Sequence, residues 1–134
     1  MSKLLETGPS PRGWHRLQNV LECPQKYSYR YNLGMETPIP AIALMKGSLT
    51  HLALAHHYTR KQLEDEGKNK DEYLNPFEAI REKCKREPEY HECKEMVEDA
   101  IDAYQQYWKV ENKKWKVLAV EQLAYAIIDD PIRK

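Results

Sequence analysis

The sequence predicts an α/β chain in which helices come first and dominate and one β-strand comes last. Three observations lead there. Apolar residues recur at helical spacing in successive stretches between Trp14 and Trp108. Proline and glycine separate those stretches, at Pro24, within 34–40, at Gly67 and at Pro88. After the polar turn Glu111–Lys114 the apolar period changes to two, which is the period of a strand.

Residues 1–11 hold Gly8, Pro9 and Pro11 and are expected to form a loose leader. Trp14, Leu17, Val20 and Leu21 then mark one face of a helix that breaks after Cys23, at Pro24. Tyr27, Tyr31 and Leu33 continue a short second helix, and 34–40 is a connection. A long helix is expected from about Lys46 to about Glu66, with Met45, Leu49, Leu52, His56 and Leu63 on one stripe. Asn75-Pro76 is an N-cap and first-turn pair for a helix to about Lys85. The next helix runs from Glu89 to Trp108, with Met96, Val97, Ala100, Ile101, Tyr104 and Trp108 apolar. Last comes a strand from Val117 to Ile128, apolar on both faces and therefore expected to be covered on both sides, before the turn Asp129-Asp130-Pro131. A buried strand needs ladder partners. This one has barely the start of a return strand, so the chain is expected to stop inside a domain.

At 134 residues the chain is one domain or part of one and can bury a core without disulfides. Its 41% hydrophobic and 31% charged residues describe a soluble globular protein. Twenty-one basic residues balance 21 acidic ones, so net charge argues for no polyanionic partner. Locally the balance differs: Pro11 to Tyr31 carries four Arg/Lys against the single Glu22, interleaved with Trp14, Tyr27, Tyr29 and Tyr31. Such a basic–aromatic face can contact nucleic acid. Three irregularly spaced cysteines, no apolar leader and no run of about 18 apolar residues lead to an expected cytoplasmic location without a membrane partner.

Few residues are candidates for chemistry. Glu121 is a carboxylate among Ala119, Leu123, Tyr125 and Ile127, and a divalent ion would offset the cost of burying it. The alternative is a Glu at a strand edge or one held by Arg or Lys. His51 follows Gly47 by four residues, so a glycine opening a helix would be followed one turn later by an imidazole, a common ligand of first-row metals. The alternative is a histidine packed on a helix face. His56 lies about 140° away from His51 around a helix, and no H-E-x-x-H is present. Cys84 and Cys93 match no standard zinc spacing and are expected to be free thiols.

Taken in order, Cys23-Pro24-Gln25-Lys26-Tyr27-Ser28-Tyr29, Gly47 to His51, and Val117 to Glu121 resemble the "C-P-x-[KR]-[FY]-x-[YF]", "G-x-x-x-H" and "V-x-x-[VE]-E" segments of the RecB-like branch of the PD-(D/E)XK nucleases. That branch includes RecB-family exonucleases and the iron–sulfur nucleases of CRISPR adaptation. The resemblance implies a restriction-endonuclease-like α/β fold, represented here by its N-terminal helices and first core strand. Residues 1–134 would be the N-terminal portion of one nuclease domain, truncated after that strand. The family's later aspartate and D/E-x-K residues are absent. By carry-over, His51 and Glu121 would be metal ligands, Glu121 also catalytic, Gly47 motif support, and Lys26, Arg30 and Tyr27 contacts to DNA.

Mg²⁺ or Mn²⁺ would serve hydrolysis of phosphodiester bonds in DNA repair, recombination, or phage or CRISPR DNA processing, with the isolated chain inactive. A 4Fe–4S cluster would use Cys23 as its first ligand. Rival readings are a non-catalytic helical nucleic-acid-binding or adaptor module, and a structural helical domain whose strand pairs with a partner or a second copy. Convergence of His51 and Glu121 on one cleft is the geometric test of the first reading.

Overall fold

A computed structural model describes residues 1–7, 14–36 and 41–122, and among these the architecture is helical, with no strand longer than one bridge. The helices are α1 (Trp14–Glu22), α2 (Pro24–Tyr27, continued by a π-type coil over Ser28–Asn32), α3 (Ile42–Asp65), α4 (Pro76–Arg86) and α5 (Lys94–Trp108). The hydrophobic centre lies where α3, α4 and α5 meet. Met45, Leu49, Leu52 and Ala53 of α3 pack against Ala79, Ile80 and Cys84 of α4 and against Cys93, Val97 and Ile101.

Local chemistry accounts for the helix ends. Asn75 Oδ1 accepts the Glu78 N–H at 2.9 Å, and Glu78 Oε2 accepts the Asn75 N–H at 3.1 Å. Pro76, at the first helical position, has no N–H to lose. The last turn carries Lys83, Lys85 and Arg86, which suit the negative end of the helix dipole. At the end of α3, Gly67 adopts φ 70°. The Lys68 N–H then reaches the Leu63 carbonyl at 2.7 Å and the Gly67 N–H the Glu64 carbonyl at 3.1 Å, a Schellman closure.

Several expectations need correction. The long helix starts at Ile42, so Gly47 sits inside α3 instead of opening it. A Cβ at Gly47 would meet nothing within 4 Å, so close packing does not require glycine there either. Residues 88–93 form a 3₁₀ segment after Pro88, which delays α5 to Lys94. Met96 and Trp108 face outward, while Val97 and Ile101 supply the buried face.

The start of the chain is tied down rather than loose. The Lys3 N–H donates to the Glu72 carbonyl at 2.7 Å, and the Leu74 N–H to the Lys3 carbonyl at 3.1 Å. Leu4 and Leu5 pack on the core. Residues 8–11 of that expected leader lie outside the described residues. Trp14, Leu17, Val20 and Leu21 lie on the expected helix, α1, and all four are exposed.

The expected strand is corrected as well. Residues 117–122 form no ladder, and 123–128 lie outside the described residues. Glu121 has φ 50°, in the left-handed region that a β-strand excludes. No helix is long and apolar enough to cross a membrane among the described residues.

Candidate functional site

His51 projects from α3 and is exposed at the rim of a groove of about 770 Å³. Gly47 lies one turn earlier on the same groove, where the missing side chain leaves the space beside the imidazole open. Leu4 to Thr7 form another wall, and Lys83, Arg86 and Tyr90 a third. Lys83 is paired with Glu87 at 2.5 Å and Arg86 with Glu82 at 3.2 Å, so the cationic side is already held by carboxylates.

Glu121 arrives at this rim from 70 residues away, and its Oε1 contacts His51 Nε2 directly. The structure therefore brings together two of the candidate residues. Their contact is half-exposed, and an ion pair of that kind contributes about 0–1 kcal/mol. A non-glycine residue at positive φ costs about 1–2 kcal/mol. The pair alone does not hold Glu121 in place.

Anchors farther up α3 hold the segment. Lys61 Nζ donates to the Trp115 carbonyl at 2.8 Å, and Gln62 Nε2 donates to the Leu118 carbonyl at 3.0 Å. Residues 115–121 thus run back along α3 and deliver Glu121 to His51. Neither anchor has a sequence signature, because each joins residues more than 50 positions apart. The only local signal was the i,i+4 spacing that pairs Lys61 with Asp65 at 2.6 Å.

The remaining candidates stand elsewhere. Tyr27 is engaged by Arg16, whose Nε donates to its hydroxyl at 2.9 Å. Tyr27 also packs on Tyr31 with ring centroids 5.0 Å apart. The Arg30 guanidinium lies 5.6 Å from the Tyr31 centroid, and Lys26 is exposed on α2. This is a basic–aromatic surface, with its tyrosines partly used in holding α1 to α2. Cys23 is exposed, while Cys84 and Cys93 are buried in the core, and burial pushes the Cys84 thiol up. No other cysteine is available to Cys23 among the described residues, so these residues do not fit an iron–sulfur cluster.

His56, on the same helix as His51, is fully buried and satisfied on both ring nitrogens. Its Nε2 accepts the Leu5 N–H at 3.0 Å, and its Nδ1 is 2.9 Å from the Leu74 carbonyl, to which it donates. Burial, opposed by the Leu74 bond and aided by Arg60, pushes its pKa below 6.5. This neutral imidazole clamps the N-terminal segment that walls the groove. It belongs to the framework and is not a candidate ligand.

A sequence model of the PD-(D/E)XK nuclease superfamily matches residues 14–132. The chain belongs to the PD-(D/E)XK nuclease superfamily. No curated protein matches the chain, and neither does any solved structure. Membership implies a restriction-endonuclease-like fold, of which no strand lies among the described residues. It also implies a nucleic-acid substrate and typical use of a divalent metal. An imidazole nitrogen and a carboxylate oxygen are both ligand types for such an ion; in their direct contact a hydrogen bridges them, and an ion would take that hydrogen's place and separate the pair. Among the described residues no group of three or more His, Cys, Asp or Glu gathers, so this pair is at most part of an ion's protein ligand set.

Proposed function

We propose that residues 1–134 form the N-terminal portion of a RecB-like deoxyribonuclease domain, with His51 and Glu121 contributing protein ligands to Mg²⁺ or Mn²⁺. The contact between His51 Nε2 and Glu121 Oε1 carries this reading. It joins two residues singled out for ligand chemistry, on the rim of a groove, through a backbone conformation that costs energy to maintain.

When bound, the ion supplies Lewis-acid activation of the scissile phosphate and of an attacking water. His51 and Glu121 orient that chemistry from α3 and from the returning segment. Gly47 keeps the groove beside the imidazole open to a substrate strand. Lys26, Arg30 and Tyr27 offer contacts to DNA at the α1–α2 surface, which also supports the rival reading of a non-catalytic nucleic-acid-binding module. The finer assignment, to exonucleolytic or endonucleolytic processing in repair, recombination or CRISPR and phage DNA metabolism, rests on the motif resemblance around Cys23, Gly47 and Val117.

Two ligands leave most of an ion's coordination to water, so binding by this chain should be weak and hydrolysis negligible. Mn²⁺ titration followed by NMR line broadening should affect the His51 imidazole first, and His51→Ala or Glu121→Ala should reduce Mn²⁺ uptake. Mn²⁺ uptake that ignores both substitutions would remove the metal reading. Incubation with labelled DNA and Mn²⁺ should yield no robust cleavage. Robust cleavage abolished by Glu121→Ala would mean that residues 1–134 already hold a working site.

A further inference from the structure

A second groove, of about 710 Å³, lies between the C-terminal half of α3 and the end of α5, and it shares no lining residue with the His51 groove. Its size falls within the range of about 300–1,000 Å³ common for ligand clefts. Five cationic side chains line it against two carboxylates, on a chain whose total charge is zero. The carboxylates are already taken: Lys61 pairs with Asp65 at 2.6 Å and Lys70 with Glu64 at 3.3 Å. Arg60 is bound to Asp71 at 2.9 Å. Lys109 and Lys113 are exposed and have no ion-pair partner among the described residues.

One more lining group lacks an acceptor. Gln105 Nε2 donates to His57 Nδ1 at 3.2 Å, which leaves the proton of the neutral ring on Nε2. That Nε2 is buried and has no hydrogen-bond partner. The groove thus carries unneutralised positive charge beside a histidine whose buried donor has no acceptor, and a polyanion answers the exposed charge.

We propose that this groove binds the phosphodiester backbone of nucleic acid, with Lys109 and Lys113 as the principal contacts. The proposal rests on the nuclease reading for its choice of polyanion. The rise from His51 to Lys61 is about 15 Å along α3, roughly four nucleotides of a B-form strand at about 3.4 Å each. The two positions differ by about 80° around the helix. A strand leaving the His51 groove would therefore wrap about a quarter turn around α3 to reach the wall of the second groove at Lys61.

The test is fluorescence anisotropy of a labelled single-stranded DNA oligonucleotide with the full 134-residue chain, in EDTA so that no metal contributes. Lys109→Gln and Lys113→Gln should each weaken binding several-fold. Together they should weaken it about tenfold or more and reduce the slope of log K against log salt by roughly 1.4, or about 0.7 per phosphate contact. Circular dichroism should show both variants folded, since both lysines are exposed.

Lys85→Gln, on the exposed side of α4, should change binding less than twofold. An equal loss in Lys85→Gln would mean that only total charge matters and would overturn the proposal. So would a loss confined to Lys26→Gln/Arg30→Gln, or competition by polyglutamate as strong as that by unlabelled DNA. The metal reading is tested separately by Mn²⁺ uptake, so the two failures are distinguishable.

Discussion

Replacing His56 by phenylalanine is the sharpest test of how the groove wall is held. The substitution keeps an aromatic ring in a fully buried position and deletes both ring nitrogens. The Leu5 N–H and the Leu74 carbonyl, now bonded at 3.0 and 2.9 Å, lose their partners. Each orphaned buried group costs about 1–3 kcal/mol, and both peptide groups are only partly buried, so the expected loss is roughly 2–4 kcal/mol. In a chain of this length that lowers Tm by on the order of 10 °C.

The same residue sets part of the acid response. Burial lowers the pKa of both His56 and His57 from 6.5, so the unfolded chain takes up their protons first. Stability is then full above about pH 6.5 and is lost as pH falls through that value, by up to about 1.4 kcal/mol per pH unit for each histidine. Arg60 on α3 and the Tyr73 ring, 6.4 Å away, are the charged and titratable neighbours that face His56. Thermal melts of wild type, His56→Phe and His56→Gln between pH 5 and 8 measure both effects. His56→Phe should be less stable and lose about half of the acid slope, and His56→Gln should recover part of the stability without the slope. A His56→Phe protein within 0.5 kcal/mol of wild type, by the same order-of-magnitude standard, would refute the clamp.

Asn75→Ala should lower stability by about 1 kcal/mol by opening the capping box of α4, read from urea midpoints, whereas Asn75→Ser should cost little. Thiol titration with Ellman's reagent should label only Cys23 quickly in the native protein and all three cysteines in denaturant, because Cys84 and Cys93 are buried; rapid native labelling of all three would contradict the α4–α5 packing. Gln62→Ala should free the Leu118 carbonyl and weaken Mn²⁺ binding by less than the roughly tenfold cost of removing a group bonded to a ligand itself, because Gln62 holds the segment that carries Glu121 and not Glu121 directly. Unchanged Mn²⁺ affinity in a folded Gln62→Ala protein would show that the returning segment needs no such anchor.

Much of the helical scaffold was legible before any coordinates. Of the stripe Met45, Leu49, Leu52, His56 and Leu63, the first four are buried and Leu63 is half-buried, and Asn75-Pro76 begins α4. Both depend on interactions within about one helical turn, which a sequence displays directly. The period of two after Val117 was equally clear but did not produce a strand among residues 117–122, since a strand also requires a partner ladder and a φ that Glu121 does not adopt. The spacing of α1 likewise produced its helix, yet Trp14 and Leu21 are exposed, because periodicity names a face without saying what covers it.

The sequence could nominate His51 and Glu121 by residue type, but their contact was decided in three dimensions. It depends on a returning segment held by Lys61 and Gln62, and on a left-handed bend at Glu121. The clamp that ties Leu5 to α3, and the pairing that leaves Lys109 and Lys113 unneutralised, are of the same kind. Local backbone preference and apolar period act between near neighbours and leave their mark on the sequence. Hydrogen bonds and ion pairs between residues far apart in the chain depend on how the helices pack, and only the folded chain brings those groups within reach.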